Sequence, residues 1–291
     1  MDGATESVGG KRSGASGKRG SESWTTLHTV ALASLIVLIF VIGLIPPNRI
    51  IPGFASPTHA LVVWLIMMVL LSLCFAVIGK GTTGVWEGLL IDTRNKMSLS
   101  RLQLVLWTLV VLSAFLTVAL FNIRNTQMTD PLHIKVPSQV WGLLGISTVS
   151  FVTAATIKSQ KKNLSVSDEV TQRTSEALRK MGDNPKKLAD PQGALVAYEQ
   201  PRDAGVSDLF KGDEVVAAAY LDLGKVQVFF FTLIVVFAYA AEIGALLYGA
   251  PHPIEALPDL STGIVALLGI SHAGYLTSKA VPSNPADYDR G

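Results

Sequence analysis

Six runs of about 20 apolar residues, at roughly 26–45, 60–79, 102–121, 138–157, 226–248 and 260–280, constrain this chain more than any other feature. A hydrocarbon core about 30 Å thick offers backbone amides no water. Each run must therefore satisfy its own N–H and C=O groups, and a helix of about 20 residues does so across that thickness. The expected fold class is all-α: a polytopic membrane protein with six transmembrane helices.

Charge supports this reading. Charged residues make up 16% of the 291, against about 25% in ordinary globular chains. They gather in the first 23 residues, in 80–101 and in 158–225. A disordered protein, a disulfide scaffold and an ordinary soluble enzyme are all excluded by that distribution. The single cysteine, Cys74, leaves neither an internal disulfide nor a multi-cysteine metal site.

The connections after the first, third and fifth runs are short, which pairs the helices as antiparallel hairpins. The expected organisation is a disordered tail (1–25), a first hairpin (26–79), an interfacial loop (80–101) and a second hairpin (102–157). A charged segment (158–225), a third hairpin (226–280) and a tail (281–291) complete it. The basic start resembles a signal peptide in order only. Its apolar run is too long and lacks a small-x-small cleavage pattern, so it reads as a retained span.

With the N-terminus inside, only Arg49, Arg124 and Lys135 of the 24 Lys and Arg fall outside. The positive-inside rule then puts both termini in the cytoplasm, and the expected location is the cytoplasmic (inner) membrane.

An internal duplication runs at a constant offset of 124 residues. Arg101-Leu102-Gln103-Leu104 with Trp107-Thr108-Leu109 answers Lys225-Val226-Gln227-Val228 with Phe231-Thr232-Leu233, and Leu143–Ser147 (LLGIS) recurs at Leu267–Ser271. Both copies enter from the same side, so the second and third hairpins form a parallel repeat rather than an inverted one.

The repeated polar residues have ordinary structural roles to fill. Ser100 with Gln103 has the spacing of a capping box, and Gln227 is the weaker counterpart. Arg101, Lys225 and Lys279 sit where basic side chains snorkel to the inner interface. Gly145, Ser147, Gly269 and Ser271 supply the small side chains that let helices approach closely, within the bundle or across a homo-oligomer contact. Two ionisable groups, Glu242 and His272, lie within the spans and form the candidate intramembrane polar site. Counting along the helices sets them about 13 Å apart in depth, too far for direct contact.

The loop 80–101 lacks a phosphate-loop pattern. It reads as an inner-leaflet segment with Trp86, Leu89 and Leu90 dipping into the interface and Asp92, Arg94 and Lys96 facing water. In 158–225 the sequence predicts a helix at 168–181 capped by Ser167, turns over 182–205, and a short helix from Ser207 or Asp208 to Tyr220. This segment has no His or Cys and its acids are scattered among bases, so it predicts a solvated face, no metal cluster and a surface for a soluble cytoplasmic partner.

No catalytic, nucleotide-binding, cofactor-binding or nucleic-acid motif is present. The expected partners are the lipid bilayer, further copies of the chain and a soluble cytoplasmic protein. The expected function is a non-enzymatic membrane scaffold, sensor or effector anchor. The alternative is a channel or transporter lined by Glu242 and His272. The scarcity of polar groups in the spans favours the first, since a solute pathway must replace hydration.

Overall fold

A computed structural model of the protein describes residues 24–45, 59–124, 130–183, 188, 191–249 and 253–284. Every long apolar run within them is helical. The helices are α1 (Thr26–Leu44), α2 (His59–Thr83), α3 (Leu99–Arg124), α4 (Ser138–Lys161), α5 (Asp168–Lys180), α6 (Leu223–Leu247) and α7 (Thr262–Ala280). The tail residues 1–23 and 285–291, Arg49, and the turn residues Asn184 and Pro185 lie outside the described set.

Five helices, α1 to α4 and α6, are long and apolar enough to cross a membrane. The seventh helix has 19 residues, but Ser271, His272, Ser278 and Lys279 dilute its apolar character. Local chemistry sets several starts: Ser167, Asp222 and Ser261 accept hydrogen bonds from the amides of Val170, Lys225 and Ile264 and so cap α5, α6 and α7.

Helix α3 lies at the centre. Of its most apolar stretch 56% is buried inside the protein, against 11% for α1. It packs on α1, α2, α4 and α6, while α7 packs on α4 and α6, so α3, α4, α7 and α6 close a four-helix ring. Trp107, Val110, Ala114, Leu143, Tyr239 and Leu268 fill the ring, and Trp64 joins from α2. In lipid such packing is driven by dispersion and interhelical hydrogen bonds, because hydrocarbon is as apolar as leucine.

The two ends of the bundle differ. At one end, 131–137 meets 253–261 through the bonds of Lys135 N–H to Glu255 O and Leu257 N–H to Lys135 O. There the buried Asn122 amide donates to Ile254 O at 2.8 Å and its oxygen accepts from Ile254 N–H at 3.1 Å. At the other end, the loop before α3 and the described residues of 162–222 fold over the helix ends. Leu178, Leu188, Val196, Tyr198, Val215 and Ala218 give that segment a small core of its own.

This is a more ordered segment than its breaker-rich sequence suggests. Helix α5, at 168–180, falls within the helix predicted at 168–181 and has its Ser167 cap. The short helix expected from Ser207 to Tyr220 is instead two 3-10 turns, Val206–Leu209 and Val215–Ala217, separated by extended chain. The intervening Asp213 and Glu214 are held by contacts elsewhere, which prevents one continuous helix.

Candidate functional site

The chain just before α3 makes a tight hairpin. Asp92 N–H donates to Lys96 O, Asn95 N–H to Asp92 O and Ser98 N–H to Leu90 O. Asn95 takes the left-handed conformation (φ 57°) that Asn tolerates better than most residues. Its side chain donates to Tyr198 O at 2.8 Å, and Tyr198 N–H donates to Arg94 O at 2.8 Å. The hairpin tip is thereby inserted into the 162–222 segment. Arg94 and Lys96 are buried, at 1% and 2% exposure, which overturns the expectation that they face water.

Arg94 bridges two carboxylates, Asp92 at 2.8 Å and Asp213 at 2.9 Å. Lys158 of α4 donates to Asp92 at 2.8 Å. Asp213 also receives Lys225 of α6 at 3.2 Å and Lys279 of α7. Beside it, Glu214 accepts Lys161 of α4 at 2.6 Å and both the amide and hydroxyl of Ser283. Two consecutive acids thus gather the ends of α4, α6 and α7 and the hairpin before α3 into one ionic lattice.

The lattice sets the protonation of its members. Burial works to raise the Asp213 carboxyl, but Lys225, Lys279 and Arg94 outweigh it and hold it well below the usual carboxylate range. Asp92 follows the same balance: burial raises it, and Arg94 and Lys158 bring it down further. Lys96 is the opposite case. Burial pushes its ammonium down to about 7, with Asp213 opposing and Lys225 and Arg94 adding to the fall. Tyr198 donates to Asp208 at 2.5 Å, and burial together with that carboxylate pushes its phenol far up.

Above the lattice, the ring of α3, α4, α6 and α7 carries a second kind of polar cluster. The Gln103 amide donates to Thr232 at 2.8 Å and lies 3.4 Å from His272 Nε2. Around them, Gln103 Oε1, Trp107 Nε1, His272 Nδ1, Tyr239 OH and the hydroxyls of Ser147, Ser150 and Ser271 are buried without a hydrogen-bond partner among the described residues. Measured along their helices, these groups run from about 6 to about 24 Å above the lattice end. Buried polar atoms are normally paired, so this column differs from an ordinary helix interface.

Each residue singled out by sequence now has a place. Gln103 is not a cap. Helix α3 begins at Leu99, ahead of Ser100, and the Gln103 side chain points into the ring. Gln227 yields its capping role to Asp222. Lys225 and Lys279 do not snorkel to lipid, because Asp213 captures both; Arg101 donates to Leu89 O at 3.4 Å.

Gly145 is exposed, and a methyl group added there would meet nothing within 4 Å, so it makes no close approach inside the chain. Gly269 faces Ile146 across the α4–α7 contact. Ser147 and Ser271 are buried, and their hydroxyls have no hydrogen-bond partner among the described residues. His272 joins Gln103, whereas Glu242 lies on an exposed face of α6.

The lattice was not anticipated from sequence. Its members are scattered from Asp92 to Lys279, and only the basic residues at span ends gave a signal. The turn chemistry of Asp92-Thr93-Arg94-Asn95 was a further clue, since Asp and Asn favour tight turns.

Compared with known protein families, characterised proteins and solved structures, the chain matches none.

Proposed function

We propose that this protein is a non-enzymatic membrane anchor or sensor whose cytoplasmic segment is locked to its transmembrane helices. The carrying observation is the Asp213–Glu214 pair, which joins the 162–222 segment to α4, α6 and α7 and to the hairpin before α3. A shift of any of these helix ends must move or break charge pairs that are shielded from water, so displacement in the bundle is transmitted to the segment as a unit. A soluble partner would read that displacement.

In this reading α7 is the sixth span, antiparallel to α6 in the third hairpin, and the second and third hairpins are a parallel duplication laid side by side. The ionic end is cytoplasmic, both termini lie on that side, and the membrane is the inner one. The concentration of Lys and Arg at that end supports the orientation.

One observation favours a conduit instead: the column of unpaired polar atoms beside Gln103 and His272. Water held by those atoms would make a wet path. Ion and proton flux in proteoliposomes separates the readings, with wild type compared against Gln103→Leu and His272→Ala. The anchor reading expects no flux above empty liposomes from folded protein. Flux that falls in either variant would overturn it and place the path at this column.

A further inference from the structure

A cavity of about 210 Å³ opens at the ionic end between α3 and α4. Four cations line it, Arg94, Arg101, Lys158 and Lys162, against one carboxylate, Asp92. Arg94 and Lys158 already engage Asp92. Arg101 and Lys162 have no carboxylate within ion-pair reach among the described residues. Ser98 and Ser159 line the same space, and Phe151, Ala154 and Ala155 of α4 form an apolar wall on the side toward the spans. A basic floor, hydroxyl donors and an apolar wall at a helix end are the chemistry of a phosphate attached to a hydrocarbon chain.

The duplication supplies an internal comparison. At the offset of 124 residues, Arg101 corresponds to Lys225, Phe151 to Tyr275 and Ala155 to Lys279. In the second copy an anion is already present: Asp213 pairs with Lys225 and Lys279, and Lys279 also donates to the Tyr275 hydroxyl at 2.8 Å. In the first copy the described residues offer Arg101 only the Leu89 carbonyl. The protein's own carboxylate fills one basic site of a duplicated pair and leaves the other with excess positive charge.

We propose that this first-copy cavity binds an anionic lipid, its phosphate held by Arg101, Lys158 and Lys162 and its glycerol and first methylenes against Phe151 and Ala155. The inference rests on the membrane placement of α3 and α4 and stands whether or not the ring conducts. One such lipid would complete the charge balance at the end of α4, on which both Lys158 and Lys161 of the lattice lie.

The test uses the full chain in a neutral detergent, titrated with phosphatidylglycerol or with phosphatidylcholine of the same chains, with retained lipid counted by native mass spectrometry. Wild type should retain phosphatidylglycerol in preference. Lys162→Ala, a change at an exposed side chain, should weaken retention about fivefold, and adding Arg101→Ala about thirtyfold in all. Lys180→Ala, on the exposed face of α5, should change nothing. Equal retention of the two lipids, or wild-type retention in the double variant, would overturn the proposal. So would displacement of the lipid by millimolar inorganic phosphate, which would assign the cavity to a free anion.

Discussion

The ionic end and the interior of the ring are both polar and both buried, yet they are built on opposite terms. At the ionic end nearly every buried charge has two or three partners, and Asp213 alone receives Arg94, Lys225 and Lys279. In the ring, the polar atoms of Ser147, Ser150, Ser271, Tyr239 and Trp107 have no hydrogen-bond partner among the described residues. A buried charge costs several kcal/mol unless paired, and most of the charges here are retained by pairing them more than once. A buried hydroxyl costs about 1–3 kcal/mol, which a helical bundle tolerates or offsets with bound water. The first region therefore fixes geometry, and the second leaves room for something to enter or move.

The contrast is most exposed to removal of its hub. Asp213→Asn leaves Arg94, Lys225 and Lys279 sharing a neutral amide in a largely buried site, with Asp92 still paired to Arg94. We expect a loss of about 3–5 kcal/mol, the usual result of breaking a buried ion pair from one side. Limited proteolysis should then cut the 162–222 segment while the spans stay protected. The same carboxylate gives an acid limit. Its pKa lies below the usual value when folded, so its stabilisation is complete above about pH 4 and is lost as pH falls through the lower folded value. A segment in Asp213→Asn that resists protease as wild type does would mean that the lattice is ornamental.

Lys96 sharpens the same end in the other direction. Among the described residues its ammonium donates only to Gly212 O, at 3.3 Å, with the Tyr198 ring 5.6 Å away. Its folded pKa is near 7 against an ordinary 10.5. Between those values the unfolded chain binds more protons, so stability should rise with pH, by at most about 1.4 kcal/mol per unit. Lys96→Met should remove that slope. Denaturation followed from pH 7 to about 9 in both proteins reads it directly, and parallel curves would show that Lys96 is solvated.

How far sequence reached follows the same division. The helices were legible because a bilayer-length apolar run has one way to satisfy its backbone, and the α5 cap at Ser167 was legible because capping is local. The lattice was not, because Asp92, Asp213 and Lys279 are brought together only by the folded ring and by a segment whose Gly and Pro content reads as loop. Gln103 shows the point in one residue. Its spacing from Ser100 fits a cap, but α3 starts two residues early and the amide has a better use beside Thr232 and His272.

The ring is tested by removing what is unpaired. Ser147→Ala and Ser271→Ala delete hydroxyls that make no hydrogen bond among the described residues. If the column is dry, each variant should be equal to wild type or more stable by up to about 1 kcal/mol, since an unsatisfied group has been removed. If ordered water bridges them, each should be less stable by a similar amount. Thr108→Val is the control at a repeated hydroxyl, because Thr108 already donates to Leu104 O on its own helix at 2.7 Å.

The smallest effect is expected at the glycines of the duplicated motif, and it separates contacts within the chain from contacts between chains. Gly269 has Ile146 Cδ1 3.6 Å from the position a methyl would take, which is ordinary contact, whereas Gly145 has nothing within 4 Å and lies on an exposed face. Gly145→Leu should therefore alter the stability of a single chain by no more than about 0.5 kcal/mol, as at other surface sites. In lipid that same face is where a second copy would approach, since small residues admit close helix contact. Sedimentation in detergent gives the decisive reading. An unchanged assembly state in Gly145→Leu confines the packing role of the motif to Gly269 and Ser271. A shift toward smaller species with unchanged folding makes Gly145 a contact between protomers, and places the two copies of one motif on two different interfaces.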